Sequence, residues 1–378
     1  MCKIMISVGE ASGDLHGASI ATELKKIRPN VKMFGMGGKA MRKAGVELSH
    51  DFADLDVMGF VEVIKNLPRF FRLRDELVEI MKKEKPDVLL IIDYPDFNIR
   101  LAKCAKELGI PILSYIPPSA WAWRKGRAKS VAKLVNKIAS IFPFEAEIYR
   151  NAGAEVTFVG HPLLDIVKPS MSKEESYRFF VADPGKPIIL LLPGSRKQEI
   201  TSLLPIMLES AEKILQENPN CQFFLPAAST ISREMLQSIL NSYKVQVHLT
   251  GENIYDLMNI ADTAIAASGT VTLEAAILGL PVVVVYKMSA VTYFIGRLLV
   301  KIPHISLPNI VMEERMIPEL LQNEVTVENI TKEVMRLVKT HPHAEEVHKK
   351  LLIMKEKLGC EGAVKRVAEE VLIMANKK

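Results

Sequence analysis

Short apolar runs alternate with amphipathic stretches along both halves of the chain. The buried strands predicted in the first half are residues 4–8, 31–35, 88–93, 110–114, 138–142 and 156–159. Those predicted in the second half are residues 188–192, 222–225, 245–249, 263–267 and 282–286. Helical-period stretches, such as residues 15–27 and 99–108, separate them. Alternation of this kind predicts parallel sheets covered by helices on both faces.

The length of the chain predicts two domains. Single hydrophobic cores stop growing at roughly 250–300 residues, and this chain has 378. The periodic pattern breaks near His161-Pro162, so we expect a first domain over residues 1–165 and a second over 166–341. Residues 342–378 read as charged amphipathic helices. They are expected to pack back on the first domain or on a second copy of the chain, which leaves a homodimer open.

Composition narrows the class of protein. The net charge is only +5, so a nucleic-acid partner is not expected. The 4 cysteines form no C-x-x-C pair, which argues against a disulfide framework or a zinc site and favours a reducing compartment. The N-terminal apolar run is too short for a signal peptide, and no apolar run approaches the ~20 residues of a membrane-spanning helix.

Two turns in the second half have the chemistry of an anion site. Gly194-Ser195-Arg196 lies between an apolar strand and a long helical pattern, where free N–H groups and a guanidinium can hold phosphate oxygens. Ser268-Gly269-Thr270 repeats this arrangement, and Glu274 one turn later can accept from ribose hydroxyls. Arg196 could instead be a surface residue, and Glu274 could only complement the helix dipole. Together the two turns favour a nucleotide diphosphate.

The loop after the first strand has a different chemistry. Residues 9–17 lack the G-x-G-x-x-G spacing, and the charges of Glu10 and Asp14 would repel a pyrophosphate. This loop suits sugar hydroxyls, or it is an ordinary strand-to-helix turn capped by Ser12 or Asp14.

Asp93 and Asp96 are the candidates for general-base chemistry. They flank Pro95 after a buried strand, where different environments can raise the pKa of one carboxyl group toward neutrality. We predict Asp96 as the base, the alternative being an N-cap at Asp96 and a strand-end hydrogen bond at Asp93. The D-x-D pair Asp54 and Asp56 matches a metal site only weakly. We expect no metal and no cofactor, since Arg196 and the helix N-termini can neutralise phosphate charge.

Eight short motifs follow one another between about residues 7 and 321. They are Ser12-Gly13-Asp14, Ile92-Asp93-x-Pro95-Asp96-Phe97-Asn98, Trp121-Ala122-Trp123-Arg124, Phe142-Pro143-Phe144-Glu145, Val159-Gly160-His161-Pro162-Leu163, Leu192-Pro193-Gly194-Ser195-Arg196, Ala267-Ser268-Gly269-Thr270 and Leu307-Pro308-Asn309-Ile310. In this order they closely resemble the lipid-A-disaccharide synthase family.

The resemblance implies a GT-B-like α/β fold, with two doubly wound Rossmann-like domains facing across a cleft. It implies an inverting, metal-independent glycosyltransferase that joins UDP-2,3-diacylglucosamine to 2,3-diacylglucosamine 1-phosphate through a β(1→6) bond and releases UDP. The first domain would face the acceptor and the membrane, and the second would bind the UDP-sugar. The catalytic positions implied are Glu10, Ser12 and Asp96. Those implied for UDP-sugar binding are Arg196, Ser268, Gly269, Thr270, Glu274 and Asn309.

A basic amphipathic stretch lies between residues 57 and 73. Its apolar positions are Phe60, Val63, Ile64, Leu67, Phe70 and Phe71, interleaved with Lys65, Arg69 and Arg72. Such a stretch either packs on the sheet or binds an anionic membrane surface. The resemblance favours the membrane, and with it a peripheral enzyme on the cytoplasmic face of the inner membrane of a Gram-negative-type bacterium.

Two other classes of function stay open at this point. Another UDP-sugar GT-B enzyme or a UDP-sugar epimerase would share the nucleotide site without needing acylated substrates. A non-catalytic nucleotide-sugar-binding protein would keep Arg196 and Glu274 and would not need Asp96.

Overall fold

The computed structural model describes residues 1–52, 67–119, 125–228, 230–288, 303–338 and 341–376. The chain forms two compact units, one of Met1–Pro162 with Gly359–Lys378 and one of Leu163–Leu358. The segment predicted as 342–378 is therefore divided between the units at residue 358.

Among the described residues, seven parallel strands form the sheet of the first unit, in the order β3-β2-β1-β4-β5-β6-β7. They are β1 (Lys3–Ser7), β2 (Lys32–Gly37), β3 (Glu47–Asp51), β4 (Val88–Ile92), β5 (Ile112–Tyr115), β6 (Lys137–Ser140) and β7 (Val156–Phe158). All five residues of β4 are buried, as expected for a strand covered on both faces. The sequence pattern missed β3, a half-exposed edge strand whose residues include two acidic side chains and a histidine.

Helices cover this sheet, and the last helix of the chain is one of them. They are α1 (Ala11–Ile27), α2 (Lys39–Lys43), α3 (Leu67–Glu84), α4 (Pro95–Glu107), α5 (Lys125–Leu134), α6 (Pro143–Asn151) and α16 (Ala363–Asn376). Helix α16 packs against α1. Its Glu370 accepts hydrogen bonds from Lys137 Nζ at 2.7 Å and Thr157 Oγ1 at 2.9 Å. The C-terminal segment thus completes the layer of helices over the first sheet.

The second unit repeats the plan with a parallel sheet of six described strands, in the order β10-β9-β8-β11-β12-β13. These are β8 (Ile188–Leu192), β9 (Gln222–Pro226), β10 (Val247–Thr250), β11 (Thr263–Ala267), β12 (Val282–Tyr286) and β13 (Glu319–Leu321). Its longer helices are α9 (Lys197–Glu217), α14 (Val327–Leu337) and α15 (Pro342–Lys357). The shorter ones are α7 (Leu163–Ile166), α8 (Lys173–Phe179), α10 (Arg233–Leu240), α11 (Ile254–Ile260), α12 (Thr270–Ile277) and α13 (Leu307–Met312). The sequence pattern missed β13, which has only three residues.

The strand order of each sheet reverses at one point. In the first sheet β1 lies between β2 and β4, and in the second β8 lies between β9 and β11. Chain segments leaving two adjacent strands diverge to opposite faces there, which leaves a crevice at their carboxyl ends where doubly wound proteins bind ligands. The loops after β1, β4, β8 and β11 carry most of the predicted site residues.

Several predicted residues lie outside the described part of the chain. These are Asp54, Asp56, Phe60, Val63, Ile64, Trp121 and Trp123, together with the side chain of Leu67. Within the described ranges, no helix is both long enough and apolar enough to cross a membrane.

Candidate active site

The carboxyl ends of β1 and β4 are joined through a buried amide. Ser7 Oγ donates to Asn98 Oδ1 at 2.7 Å, and Asn98 Nδ2 donates to the carbonyl oxygen of Asp93 at 2.7 Å. Asn98 lies in the first turn of α4 and is buried. This contact fixes the loop that carries Asp93 and Asp96 against the end of the first strand.

The backbone of that loop is strained. Asp93 and Tyr94 have φ values of 46° and 49°, which are uncommon for non-glycine residues. The Tyr94 ring packs on Gly9, where an added Cβ would lie 2.1 Å from Tyr94 Cδ1. Gly9 is therefore needed so that the two strand-end loops can approach each other.

The carboxyl group of Asp93 has the environment that the sequence analysis assigned to Asp96. Burial first, and then the charge and hydrogen bond of Glu10, raise the pKa of Asp93 to about 6. On the other side of Glu10, Ser12 Oγ donates to Glu10 Oε1 at 2.8 Å. Asp93, Glu10 and Ser12 thus form one polar cluster. The sequence analysis had considered Asp93 beside Asp96 as a candidate base and had chosen Asp96.

Asp14 has a different role from the one considered for the loop. Its carboxylate is buried and accepts hydrogen bonds from the backbone N–H groups of Gly38 at 2.8 Å and Ala40 at 2.8 Å. It therefore caps α2.

Asp96 is fully presented to solvent at the start of α4. Its side chain is 96% exposed, and its Oδ1 atom lies 3.1 Å from a guanidinium nitrogen of Arg127, whose side chain is only 17% exposed. Helix α4 begins with Tyr94 as its N-cap, so Asp96 is not the cap residue. A cavity of about 610 Å³ lies beside Asp96 and Arg127.

In the second unit one cavity brings the two predicted anion turns together. It has a volume of about 510 Å³, within the roughly 300–1,000 Å³ of small-molecule sites. Residues 194–196 and 268–270 line it with Glu274, and so do residues 251–254, which the sequence analysis did not single out. Asn253, with a φ of 56°, ends that loop at the start of α11. The sequence signal that could have indicated this loop was an asparagine shortly after a strand, because Asn tolerates the left-handed backbone conformation.

The turn after β8 already holds a carboxylate of the same chain. Glu199 Oε2 accepts from the backbone N–H groups of Ser195 at 3.1 Å and Arg196 at 3.2 Å. Gly194 has a φ of 110°, and a Cβ there would lie 2.2 Å from Glu199 Oε2. The N–H donors predicted for phosphate therefore do bind an anionic group, and Glu199 is a residue that the sequence analysis missed.

Glu274 lies half-buried in the same cavity. Tyr255 Oη donates to its Oε1 atom at 3.3 Å. Burial raises the pKa of Glu274, and the hydrogen bond from Tyr255 opposes that shift. Burial and the neighbouring Glu274 raise the pKa of Tyr255 to about 12, so the phenol stays a hydrogen-bond donor.

Asn309 is not among the residues that line this cavity. It is fully buried, and its Nδ2 atom donates to Ile317 O at 2.9 Å and Glu319 Oε1 at 2.8 Å. Its Oδ1 atom accepts from the backbone N–H groups of Met316 at 2.9 Å and Ile317 at 3.0 Å. With both polar atoms engaged inside the unit, Asn309 shapes the segment between α13 and β13.

The two described aromatic residues of the predicted membrane face differ. Phe70 packs against the core of the first unit, with its ring centroid 6.3 Å from that of Phe97. Phe71 is 40% exposed, and the guanidinium carbons of Arg74 and Arg100 lie 5.1 and 5.5 Å from its ring centroid. Phe71 is therefore the more exposed of the two residues.

Across the described residues, no group of three or more His, Cys, Asp or Glu side chains is placed to hold a metal ion. The two doubly wound sheets, with a nucleotide-sized cavity at the strand reversal of the second, define the class of GT-B-type enzymes. Solved structures share this fold. UDP-GlcNAc 2-epimerase from Neisseria meningitidis, bound to UDP-GlcNAc, aligns with a TM-score of 0.64 at 16% identity, covering 98% of this chain and 100% of that one. A transferase from Siraitia grosvenorii in complex with UDP aligns with a TM-score of 0.65 at 12% identity, covering 98% and 100%.

Sequence comparison defines the family within that class. The model of the lipid-A-disaccharide synthetase family matches residues 4–371. The lipid-A-disaccharide synthase of Geobacter sulfurreducens is 43% identical over 376 residues, which cover 100% of this chain and 98% of the relative. That of Nitrosococcus oceani is 42% identical over 371 residues, covering 98% and 96%. The chain belongs to the lipid-A-disaccharide synthase family, which confirms the resemblance and the fold class predicted from the motifs.

Proposed function

We propose that the protein transfers the sugar of UDP-2,3-diacylglucosamine to 2,3-diacylglucosamine 1-phosphate. The observation that carries this proposal, beside family membership, is the single cavity lined by residues 194–196, residues 268–270 and Glu274. In it two sets of turn N–H groups and the Arg196 guanidinium suit a diphosphate, and the Glu274 carboxylate suits a ribose.

The reaction requires one proton transfer and one displacement. The acceptor 6-hydroxyl gives its proton to Asp96 as its oxygen forms a bond to the donor's anomeric carbon. The bond from that carbon to the diphosphate oxygen breaks, and its electron pair leaves with UDP, so the new β(1→6) bond has inverted configuration. Arg196 and the turn at residues 268–270 stabilise the leaving diphosphate. Glu10 and Ser12, beside Asp93, orient the acceptor sugar.

A transfer assay separates this function from its rivals. Labelled donor is incubated with and without acceptor, and UDP, disaccharide and C2 epimer are measured. The transferase gives UDP and disaccharide only when acceptor is present. An epimerase would change the donor sugar without acceptor, and a binding protein would leave it unchanged. Activity is expected to survive EDTA, and loss of activity that Mg²⁺ or Mn²⁺ restores would overturn the metal-free mechanism.

Asp96→Ala tests the assigned base. Turnover should fall by a factor of about 10² or more, because a positioned base is lost, while the affinity for UDP is retained. Asp75→Ala, which removes an exposed carboxylate elsewhere in the same unit, is the matched control. A folded Asp96→Ala variant with normal turnover would remove Asp96 from the mechanism.

The acylated substrates suit a protein that binds reversibly to a membrane surface. The exposed Phe71 ring and the cations of α3 support this part of the proposal. We assign the protein to the cytoplasmic face of the inner membrane of a Gram-negative-type bacterium, as a peripheral protein on anionic lipid. The homodimer stays a prediction, which light scattering of the purified chain would check.

A further inference from the structure

The cavity beside Asp96 has a basic lining. Helix α4 contributes Arg100 and Lys103, and α5 contributes Arg127. We refer to this 610 Å³ space as the cationic cavity. Asp96 is the one acidic residue among the residues that line it. Three positive charges against one negative charge leave an excess that suits an anionic ligand.

The three cations are not engaged to the same extent. The mostly buried guanidinium of Arg127 contacts Asp96, and a guanidinium has five N–H donors, so this contact uses only part of its capacity. Arg100 lies over the Phe71 ring, a contact that leaves its N–H groups available. Lys103 is exposed, and its ammonium can turn toward a bound oxygen.

The spacing along α4 fits a sugar phosphate. Asp96, Arg100 and Lys103 are separated by four and three residues, so they follow one face of the helix. With a rise of 1.5 Å per residue, Arg100 lies about 6 Å and Lys103 about 10 Å along the axis from Asp96. A pyranose with its 6-hydroxyl at Asp96 can lie along this face with its anomeric substituent toward Arg100 and Lys103.

An aromatic ring lies beside Arg100, next to the residues that line the cavity. The guanidinium groups of Arg74 and Arg100 both lie close to the Phe71 ring, which remains partly exposed. A ligand that contacts both regions would have a phosphate near the cations and hydrocarbon near the Phe71 ring. Acylated sugar phosphates combine these two features.

We propose that the cationic cavity binds the phosphate group of the acceptor through Arg100, Lys103 and Arg127. This inference rests on the proposed function, because it takes the acceptor to be an acylated glucosamine 1-phosphate. The site orients the acceptor with its hydroxyl at Asp96 and selects against sugars that lack the phosphate.

The test compares two acceptors that differ only in the phosphate. Binding of 2,3-diacylglucosamine 1-phosphate and of 2,3-diacylglucosamine is measured by calorimetry in neutral detergent, with the full-length chain. Wild type should bind the phosphorylated sugar at least tenfold more tightly. In the double variant Arg100→Gln, Lys103→Gln the ratio of the two affinities should fall to about twofold or less. Lys129→Gln, which removes an exposed charge from α5 outside the cavity, should keep the wild-type ratio.

The outcomes separate the two proposals and the two sources of phosphate. An unchanged affinity ratio in the double variant would overturn the cationic cavity as the phosphate site. If the double variant kept the wild-type ratio and also lost binding to phosphatidylglycerol vesicles, the cavity would be assigned to lipid headgroups instead. Absence of UDP release by wild type with both substrates would refute the proposed reaction, and the binding ratio would still decide the phosphate site.

Discussion

At the scale of single residues, the turn after β8 binds an anion through its backbone and its side chain together. Glu199 occupies the N–H groups of Ser195 and Arg196, and the Arg196 side chain lies 3.2 Å from Glu199 Oε1 while 82% exposed. In the proposed reaction, an incoming diphosphate would compete with Glu199 for the same two N–H donors. The Arg196 guanidinium can move with the phosphate in the proposed complex, since the Arg196 side chain is exposed and its recorded side-chain partner is the half-buried Glu199 carboxylate.

Arg196→Ala should weaken both UDP binding and turnover. In the proposed reaction the guanidinium contacts the diphosphate in the ground state and as charge develops on it, so its loss should raise the reaction barrier by ~2.7–4 kcal/mol. Calorimetry with UDP and steady-state rates measure the two effects. Lys197→Ala, the adjacent exposed cation that does not line the cavity, is the control. UDP affinity equal to that of wild type would contradict the placement of Arg196 at the diphosphate.

Asp93 provides a prediction about pH. Its pKa in the folded protein is about 6, against an ordinary value of 3.8, so the folded state binds this proton more tightly than the unfolded state. The resulting stabilisation is complete below about pH 4 and is lost as the pH rises through 6. Asp93→Asn removes the titration. Between pH 4 and pH 7, wild type should lose about 1–2 kcal/mol of unfolding free energy that the Asp93→Asn variant keeps. This difference is smaller than the full pKa shift would give, because the carboxyl group is partly exposed.

Denaturant unfolding at both pH values measures this difference. Glu107→Gln, which removes an exposed carboxyl group from α4, is the control. Identical pH dependence in Asp93→Asn and wild type would mean that the carboxyl group is not held in the environment described here.

At the scale of secondary-structure elements, apolar runs predicted the central strands, whereas two of the described edge strands, β3 and β13, escaped prediction. The β8 run of five buried aliphatic residues could be found without tertiary information. Strand β3 could not, because an edge strand with one solvated face carries no continuous apolar run. The turns at Gly194 and Ser268 were found from their position after such runs. Glu199 lies three residues after the helix N-cap Arg196, a spacing from which a capping contact could have been predicted. The contacts of Asn309 with residues 316, 317 and 319 depend on how the chain after α13 packs, which periodicity does not encode.

Substitution of Asn309 tests whether this residue contacts the ligand, as the resemblance implies, or positions the segment between α13 and β13. Asn309→Ala leaves the N–H groups of Met316 and Ile317 and the Glu319 carboxylate without the amide that pairs them. The cost should be about 2–4 kcal/mol of unfolding free energy, since each buried unpaired group costs about 1–3 kcal/mol. Denaturant unfolding and UDP calorimetry are run together, with the exposed Asn241→Ala as control. Weaker UDP binding at unchanged stability would restore Asn309 as a direct contact.

At the scale of the whole molecule, the proposed reaction brings two acylated sugars, one of which carries the nucleotide, to one protein. The second unit supplies the polar cavity that suits the nucleotide. In the first unit, α3 combines the exposed Phe71 with the cations of Arg69, Arg72 and Arg74, and its other face, which includes Leu73 and Leu77, is buried in the core. Helix α3 can therefore contact lipid without giving up its packing.

Phe71 and Phe70 are adjacent, and substitutions at these two positions are expected to have different effects. Phe71→Ser should reduce association with phosphatidylglycerol vesicles about fivefold, on the order of 1 kcal/mol, because a partly exposed ring inserts only in part. It should leave the melting temperature nearly unchanged. Phe70→Ser should instead lower stability by about 2–4 kcal/mol, because it removes a ring that packs on Phe97 and the core. Vesicle sedimentation at low and high salt, beside thermal melts, measures both, and salt should weaken the contribution of the α3 cations. Equal vesicle binding by wild type and Phe71→Ser would show that this face of α3 does not contact the membrane.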